Sequence, residues 1–116
     1  MAKESKKKEI RSKVAGVTFE HRQPAIKAHG KRGRKLILVH EPDNPASDKA
    51  VAVYLERPRL LGKNQHYHIG YLNSRLADDV QKAWSKDQTV TAKITEITGG
   101  TKDKPTQGVN ILVTIE

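Results

Sequence analysis

Short runs of alternating or β-branched apolar residues recur along the chain and predict a fold built mainly from β-strands. These runs occupy residues 14–19, 36–39, 50–55, 66–72, 88–98 and 108–116. In the third run Val51, Val53 and Leu55 share one face, because side chains alternate between the two faces of a strand. In the fifth run Ile97 is out of phase with Ile94, which predicts a β-bulge.

One segment, residues 73–86, has a clear helical period. Its apolar positions fall on one face of an α-helix, at Leu76, Val80, Ala83 and Trp84. Residues 21–30 predict only a short helical turn. About six strands with mainly local connections and a single full helix predict an all-β fold (mainly β with one α-helix), in the form of a small, strongly curved sheet or barrel.

Positive charge is concentrated in the first third of the chain. The 116 residues carry a formal net charge of +9. Residues 1–35 hold twelve basic and three acidic side chains, whereas residues 36–116 hold ten of each. Clustered Lys and Arg favour polyanions, because counterions are released when these cations meet phosphates. We therefore expect nucleic acid as the default partner.

The length and the charge pattern predict a single domain preceded by a basic tail. Residues 1–13 contain the run Lys6-Lys7-Lys8, followed by Arg11 and Lys13, and almost no apolar residue, so we expect a disordered basic arm. Residues 14–116 then form the folded domain. The sequence has no apolar run of about 18 residues, so we expect no membrane contact and a cytoplasmic protein, nucleoid-associated in a bacterium.

The sequence lacks the residue patterns of common catalytic sites. It has no cysteine, no glycine-rich phosphate loop and no G-x-S-x-G motif, and the side chains of Asp78 and Asp79 diverge around a helix. His66 and His68 share a strand face at a spacing that can hold a metal, but no third ligand accompanies them. We therefore expect a protein without enzymatic activity, cofactor or metal.

Two features carry candidate binding chemistry, and each has a structural alternative. Phe19, the single phenylalanine, is either a platform for base stacking or a core residue of the first strand. Residues 41–48 hold two prolines and four polar turn-forming residues. They predict a shaped loop, which either contacts a ligand or only connects two strands.

Five blocks of sequence, in order, resemble the HIRAN domain family. They are residues 14–19 (V-A-G-V-T-F), 21–23 (H-R-Q), 41–45 (E-P-D-N-P), 50–53 (A-V-A-V) and 69–72 (I-G-Y-L). The resemblance implies a small OB-like six-stranded barrel, found beside Snf-type DNA translocases of replication-fork repair and as short stand-alone bacterial or phage proteins. It also implies binding of single-stranded DNA at its 3′ end.

The resemblance implies particular contact residues in this chain. Thr18 and Phe19 match the pair that meets the terminal nucleotides, with Phe19 as the stacking residue. Asp43 and Asn44 match polar residues that bond sugar or backbone atoms. The segment that meets the phosphates is matched by Tyr71, Asn73 and Ser74.

Two departures from the family pattern accompany these matches. Members usually continue the loop as N-P-Y-D, in which the tyrosine stacks and the aspartate holds the 3′-hydroxyl. Here Ala46 replaces the aromatic residue and the acid comes one position later, so Ser47 and Asp48 are the candidates for the hydroxyl contact. Asn73 and Ser74 are neutral where some members carry lysine. Nearby Arg75, or Arg57 and Lys63 in the connection before the fourth strand, are expected to make up that charge. Arg22 and the basic loop of residues 31–35, with Lys31, Arg32, Arg34 and Lys35, are expected to follow the phosphates.

These features together favour a nucleic-acid-binding module for single-stranded DNA and its 3′ end, acting in DNA repair or replication-fork processing. The expected protein partner is a DNA translocase, helicase or nuclease acting in trans, and the chain is expected to be a monomer. Two alternatives stay open. One is a general binder of RNA or DNA phosphate backbones, and the other is a protein-interaction adaptor whose charge serves solubility or an acidic partner.

Overall fold

The computed structural model describes residues 7–19, 21–57 and 59–116, which form one antiparallel sheet and two helices. The elements in chain order are β1 (Lys8–Lys13), α1 (Arg22–His29), β2 (Lys35–Glu41), β3 (Ala50–Arg57), β4 (Gln65–Tyr71), α2 (Ser74–Ser85), β5 (Val90–Gly99) and β6 (Gln107–Ile115). The strand order in the sheet is β1-β6-β5-β2-β3-β4. The prediction of a mainly β, OB-like fold is confirmed.

Ala15 and Tyr71 join the two edges of this sheet. Ala15 follows β1 and Tyr71 ends β4, and the two residues form an antiparallel bridge. The Ala15 amide donates to the Tyr71 carbonyl oxygen at 2.8 Å, and the Tyr71 amide donates to the Ala15 carbonyl oxygen at 2.9 Å. Gly70 makes this approach feasible, because a Cβ at that position would overlap the Ala15 carbonyl oxygen. The bridge therefore closes the curved sheet into a barrel.

A single apolar core fills the barrel, and both helices contribute to it. Val51, Val53 and Leu55 are all fully buried, which confirms the face predicted from their spacing. Ile26 of α1 is fully buried in the same core. The buried face of α2 consists of Leu76, Ala77, Val80 and Ala83. No helix among the described residues is long and apolar enough to cross a membrane.

The predicted irregularity of the fifth strand is also present. The register between β5 and β6 shifts between Ile94 and Glu96, as expected from the out-of-phase apolar residues. The helix predicted over residues 73–86 is α2, and the helical turn predicted over residues 21–30 is the eight-residue helix α1. Local periodicity was sufficient for α2, whose buried residues recur along one face, whereas α1 buries only Ile26.

The expectation of a disordered arm is wrong for residues 8–13, which form β1. All six residues pair with β6 in antiparallel register, from Lys8 opposite Ile115 to Lys13 opposite Asn110. Only Ile10 contributes an apolar side chain to the inner face, where it packs against the core. The backbone groups of β1 that face β6 are satisfied by this pairing, so pairing rather than burial orders the segment. The first six residues of the predicted arm lie outside the described residues.

The expectation of a first strand over residues 14–19 is wrong as well. After Val14 and the Ala15 bridge the chain turns, with Gly16 at a φ of 75°. The Phe19 amide donates to the Gly16 carbonyl oxygen at 3.4 Å, which marks a turn rather than a strand. The strand count of six is retained because β1 lies one segment earlier than predicted.

Candidate nucleic-acid interface

Gln23 of α1 holds the turn that carries Phe19 against the barrel. Its Nε2 donates to the carbonyl oxygens of Val17 at 2.8 Å and Gln107 at 2.9 Å. Its Oε1 accepts from the Gln107 amide at 2.8 Å. One amide side chain therefore connects residues 16–19, α1 and the start of β6, which fixes where Phe19 stands.

Phe19, Arg22 and Tyr71 form a layered arrangement that we call the aromatic–arginine stack. The Phe19 side chain is 65% exposed, which excludes the core alternative. The Arg22 guanidinium carbon lies 4.8 Å from the centre of the Phe19 ring and 5.4 Å from that of Tyr71. Arg22 Nη1 also donates to the Gly16 carbonyl oxygen at 2.6 Å. The stack thus presents an open ring supported by a fixed cation.

Two further rings extend the stack along the β3–β4 hairpin. His68 meets Tyr71 edge-on, with 4.9 Å between ring centres, and Tyr54 lies 5.1 Å from His68. His68 Nε2 is 2.9 Å from the Gly70 carbonyl oxygen. Burial, together with the nearby charge of Arg22, lowers the pKa of His68 below its usual value. This imidazole therefore stays neutral at pH 7 and leaves Arg22 as the cation of the stack.

Glu41 connects the stack to the loop after β2. One carboxylate oxygen, Oε1, accepts from the Tyr71 hydroxyl at 2.8 Å and from the Asn44 side-chain amide at 3.1 Å. These hydrogen bonds, from Asn44 first and then from Tyr71, lower the pKa of Glu41. Burial raises the pKa of Tyr71, and the bond to Glu41 raises it further. Glu41 is therefore ionised at neutral pH and orients both partners.

The loop between β2 and β3 is a chain of turns stabilised by its own side chains. The Asn44 Oδ1 accepts from the Ala46 amide at 2.9 Å, which is an Asx turn. The Ser47 Oγ accepts from the Lys49 amide at 3.1 Å. His40 Nε2 lies 2.8 Å from the Asp48 carbonyl oxygen. The loop is thus shaped without a ligand. The side-chain amide of Asn44 already has two hydrogen-bond partners, Glu41 and Ala46.

A groove of ≈ 610 Å³ lies between this loop and the start of α2. It contains five of the predicted contact residues, namely Asn44, Ser47, Asp48, Tyr71 and Ser74. We call it the loop groove. Tyr71 belongs both to this groove and to the aromatic–arginine stack, so the two surfaces are continuous.

The remaining predicted contact residues, Thr18, Asp43 and Asn73, differ in whether their side chains are free to contact a ligand. Asn73 caps α2, because its Oδ1 accepts from the Leu76 amide at 2.8 Å, and its Nδ2 donates to the Ser12 hydroxyl at 3.0 Å. Its side chain therefore has a structural task. Thr18 is exposed next to Phe19, and Asp43 is exposed at the tip of the loop.

The predicted auxiliary cations do not form one surface. Lys31, Arg34 and Arg57 lie close enough to His29 to lower its pKa, after the larger effect of burial. Arg32 instead lines a second groove beside β1. Lys35 belongs to β2 and helps to lower the pKa of Glu56, after the larger effect of the hydrogen bond from His66. Exposed Lys63 lies in the β3–β4 connection.

Sequence reasoning missed three residues of this interface: Glu41, Tyr54 and His68. A signal existed for Tyr54, because it alternates with Val53 and Leu55 and must therefore face outward. The register of the hairpin then places Tyr54 opposite His68. Glu41 belongs to the E-P-D-N-P block and its partner Asn44 is three residues away, but its second partner, Tyr71, lies on a strand thirty residues away and gave no local signal.

The fold and this surface together define a class: a small closed antiparallel barrel with an exposed aromatic–cation surface beside a preformed polar groove. The family model for the HIRAN domain matches residues 7–115. The chain belongs to the HIRAN domain family. Domains of this family are nucleic-acid-binding modules.

Solved structures of similar fold include the HIRAN domain of human HLTF, with a TM-score of 0.61 and 15% sequence identity. That match covers 92% of this chain and 74% of the HLTF chain. A protein from Lactobacillus plantarum matches with the same TM-score and identity, covering 96% of this chain and 100% of its own. At this identity both structures establish the fold alone. Comparison with curated proteins gives no match.

Proposed function

We propose that this HIRAN domain binds single-stranded DNA, with a base stacked on Phe19 and the adjoining sugar and phosphate atoms in the loop groove. The observation that carries this proposal is the open Phe19 ring over the fixed guanidinium of Arg22. A base that stacks on an aromatic side chain contributes roughly 1–3 kcal/mol, and bases of a single strand are free to do so.

Arg22 supports this mode of binding in two ways. Its guanidinium fixes the underside of the Phe19 ring, which reduces the cost of ordering the ring when a base arrives. Its charge also attracts phosphates, because a guanidinium keeps its proton at all accessible pH values. A single-stranded backbone that places a base on Phe19 would thus pass close to a permanent cation.

The loop groove supports the second half of the proposal. It begins at Tyr71, directly beside the stack, and continues to the exposed side chains of Ser47, Asp48 and Ser74. Hydroxyls and a carboxylate can pair with sugar hydroxyls, and a free 3′-hydroxyl is such a group. We propose that Asp48 or Ser47 accepts from a 3′-hydroxyl, in place of the acid that the family usually carries one position earlier.

In this proposal the chain acts by binding and catalyses no reaction. It works as a cytoplasmic monomer in DNA repair or replication-fork processing, and it presents single-stranded DNA to a translocase, helicase or nuclease that acts in trans. A general affinity for RNA or DNA backbones and a role as a protein adaptor are the competing functions.

Fluorescence anisotropy with a short labelled single strand tests the proposal. We expect Phe19→Ala to weaken binding by about 5- to 150-fold, which corresponds to the stacking energy of one base. Val39→Ala is the matched control, since Val39 is a 40% exposed apolar residue on β2. Equal binding by Phe19→Ala and wild type would refute stacking on this ring. Absence of binding to any oligonucleotide at low salt would favour the adaptor.

The same assay separates 3′-end recognition from general binding. An oligonucleotide with a 3′-phosphate should bind more weakly than one with a free 3′-hydroxyl, because the phosphate is repelled by Asp48 and cannot donate a hydrogen bond. In Asp48→Asn this preference should shrink. Equal affinity of the wild type for both oligonucleotides would remove end recognition and leave single-strand binding intact.

A further inference from the structure

A row of cations crosses the outer face of the barrel, on strands that do not carry the loop groove. In the register of the sheet Arg11 of β1 and Lys93 of β5 both lie opposite Leu112 of β6. Lys93 in turn lies opposite Lys35 of β2. Directly opposed residues point to the same face, so Arg11, Lys93 and Lys35 form one row across four strands. At about 4.8 Å per strand the row is about 14 Å long.

Two more cations flank this row beside a groove. Lys13 of β1 lies opposite Asn110, in the row next to that of Arg11. Arg32 reaches the same area from the loop before β2, and together with Arg11 and Lys13 it lines a groove of ≈ 610 Å³. We call the five cations the basic stripe: Arg11, Lys13, Arg32, Lys35 and Lys93.

The stripe has little internal compensation for its charge. Within the described part of the chain, Arg11, Lys13, Arg32 and Lys93 have no carboxylate within 4.0 Å. Lys35 and Lys93 face each other directly across two strands, an arrangement that destabilises a sheet. Two carboxylates among the described residues lie nearby without forming an ion pair with these cations: Glu96 lines the groove and accepts from the Asn110 side-chain amide at 3.2 Å, and Glu56 lies near Lys35. Repulsion between these cations lowers the stability of the isolated fold and favours the binding of an external anion.

We propose that the basic stripe is a second nucleic-acid contact surface, which binds the phosphodiester backbone while the aromatic–arginine stack binds bases. Charge complementarity selects this ligand, because a row of exposed cations without ion-pair partners in the described ranges matches a row of phosphates. One strand of B-form DNA presents a phosphate about every 3.4 Å of helix axis, so a 14 Å row spans about four. The inference shares its ligand with the proposed function but depends on different residues.

The test compares two variants with equal loss of charge. One is Arg11→Gln/Lys13→Gln/Lys93→Gln in the stripe, and the control removes three exposed lysines elsewhere, Lys82→Gln/Lys86→Gln/Lys102→Gln. Anisotropy titrations with a single strand and with a 3′-tailed duplex are made between roughly 0.05 and 0.3 M salt, the range in which counterion release dominates. Thermal unfolding is measured for each variant.

For the stripe variant the slope of log affinity against log salt should become shallower by about 2 on the single strand and about 3 on duplex. Its affinity near 0.1 M salt should fall by about tenfold or more, whereas the control changes much less. Its melting temperature should stay constant or rise, because the repulsion between Lys35 and Lys93 is relieved. Equal slopes in the two variants would overturn the proposal.

The readouts separate this inference from the proposed function. Phe19→Ala should lower the affinity without changing the salt slope, because it removes no charge. If Phe19→Ala binds as tightly as wild type and the stripe variant loses affinity and salt slope, stacking is refuted and the basic stripe is supported. If Phe19→Ala binds weakly and the stripe variant behaves like its control, stacking is supported and the basic stripe is refuted.

Discussion

Glu41→Gln removes the charge that holds the aromatic–arginine stack and the loop together. In the wild type one oxygen of Glu41 accepts from both Tyr71 and Asn44, at 2.8 and 3.1 Å. A hydrogen bond to a charged group contributes about 1.5–3 kcal/mol, and a neutral one about 0.5–1.5 kcal/mol. The two bonds would together lose about 2 kcal/mol, and solvent at this half-buried position reduces the expected cost to about 1–2 kcal/mol.

Urea unfolding followed through the fluorescence of Trp84, the single tryptophan, measures this cost at pH 7. Glu9→Gln, on the exposed face of β1, is the control and should change the free energy of unfolding by less than about 0.5 kcal/mol. The same experiment at lower pH tests the cause. The pKa of Glu41 in the folded protein lies below its value of 4.5 in the unfolded chain.

The unfolded chain therefore binds a proton at higher pH than the folded protein does, and stability falls as the pH drops from about 4.5 through the lowered pKa. Glu41→Gln lacks this component, so its stability should depend less on pH in that window. Combination with Tyr71→Phe should be less than additive, because both substitutions disrupt one hydrogen bond. A variant as stable as wild type at pH 7, with the same acid dependence, would refute the role given to Glu41.

Three further outcomes are expected. Gln23→Ala should lower the free energy of unfolding by about 1–3 kcal/mol in urea titrations, because three part-buried hydrogen bonds are lost; a loss below about 0.5 kcal/mol would contradict this. Gly70→Ala should destabilise by more than about 3 kcal/mol, or prevent folding in circular dichroism, because the new Cβ overlaps the Ala15 carbonyl oxygen. The free energy of unfolding should decrease as the pH falls below 6.5, because the pKa of His68 is lower in the folded protein and the unfolded chain therefore takes up the proton first. If the free energy of unfolding of His68→Gln depends on pH as that of wild type does, this cause is contradicted.

Most strands and both helical segments could be predicted because their signals are local. Val51, Val53 and Leu55 alternate with outward residues, and the apolar face of α2 repeats with the helical period. β1 could not be predicted in this way. Its six residues include one apolar side chain, Ile10, and their order comes from pairing with β6, which is about a hundred residues away.

The candidate site was predictable in part for the same reason. The resemblance brought together Phe19, Tyr71 and residues 41–48, and the structure places them on continuous surfaces. The sequence did not indicate that Arg22 lies between two rings, since that depends on the barrel closing through Ala15. The sequence also predicts one basic loop over residues 31–35. In the structure Arg32 lines the groove beside β1, whereas Arg34 lies near His29.

An NMR titration of the ¹⁵N-labelled chain with a short single-stranded oligonucleotide tests base stacking most directly. The amides of Phe19, Arg22 and Tyr71 and those of the loop after β2 should show the largest shifts, and Phe19→Ala should remove them. Replacing the free 3′-hydroxyl with a 3′-phosphate should alter the shifts at Ser47 and Asp48 more than those at Phe19. Shifts that avoid the aromatic–arginine stack, or that persist unchanged in Phe19→Ala, would contradict binding of bases at this surface.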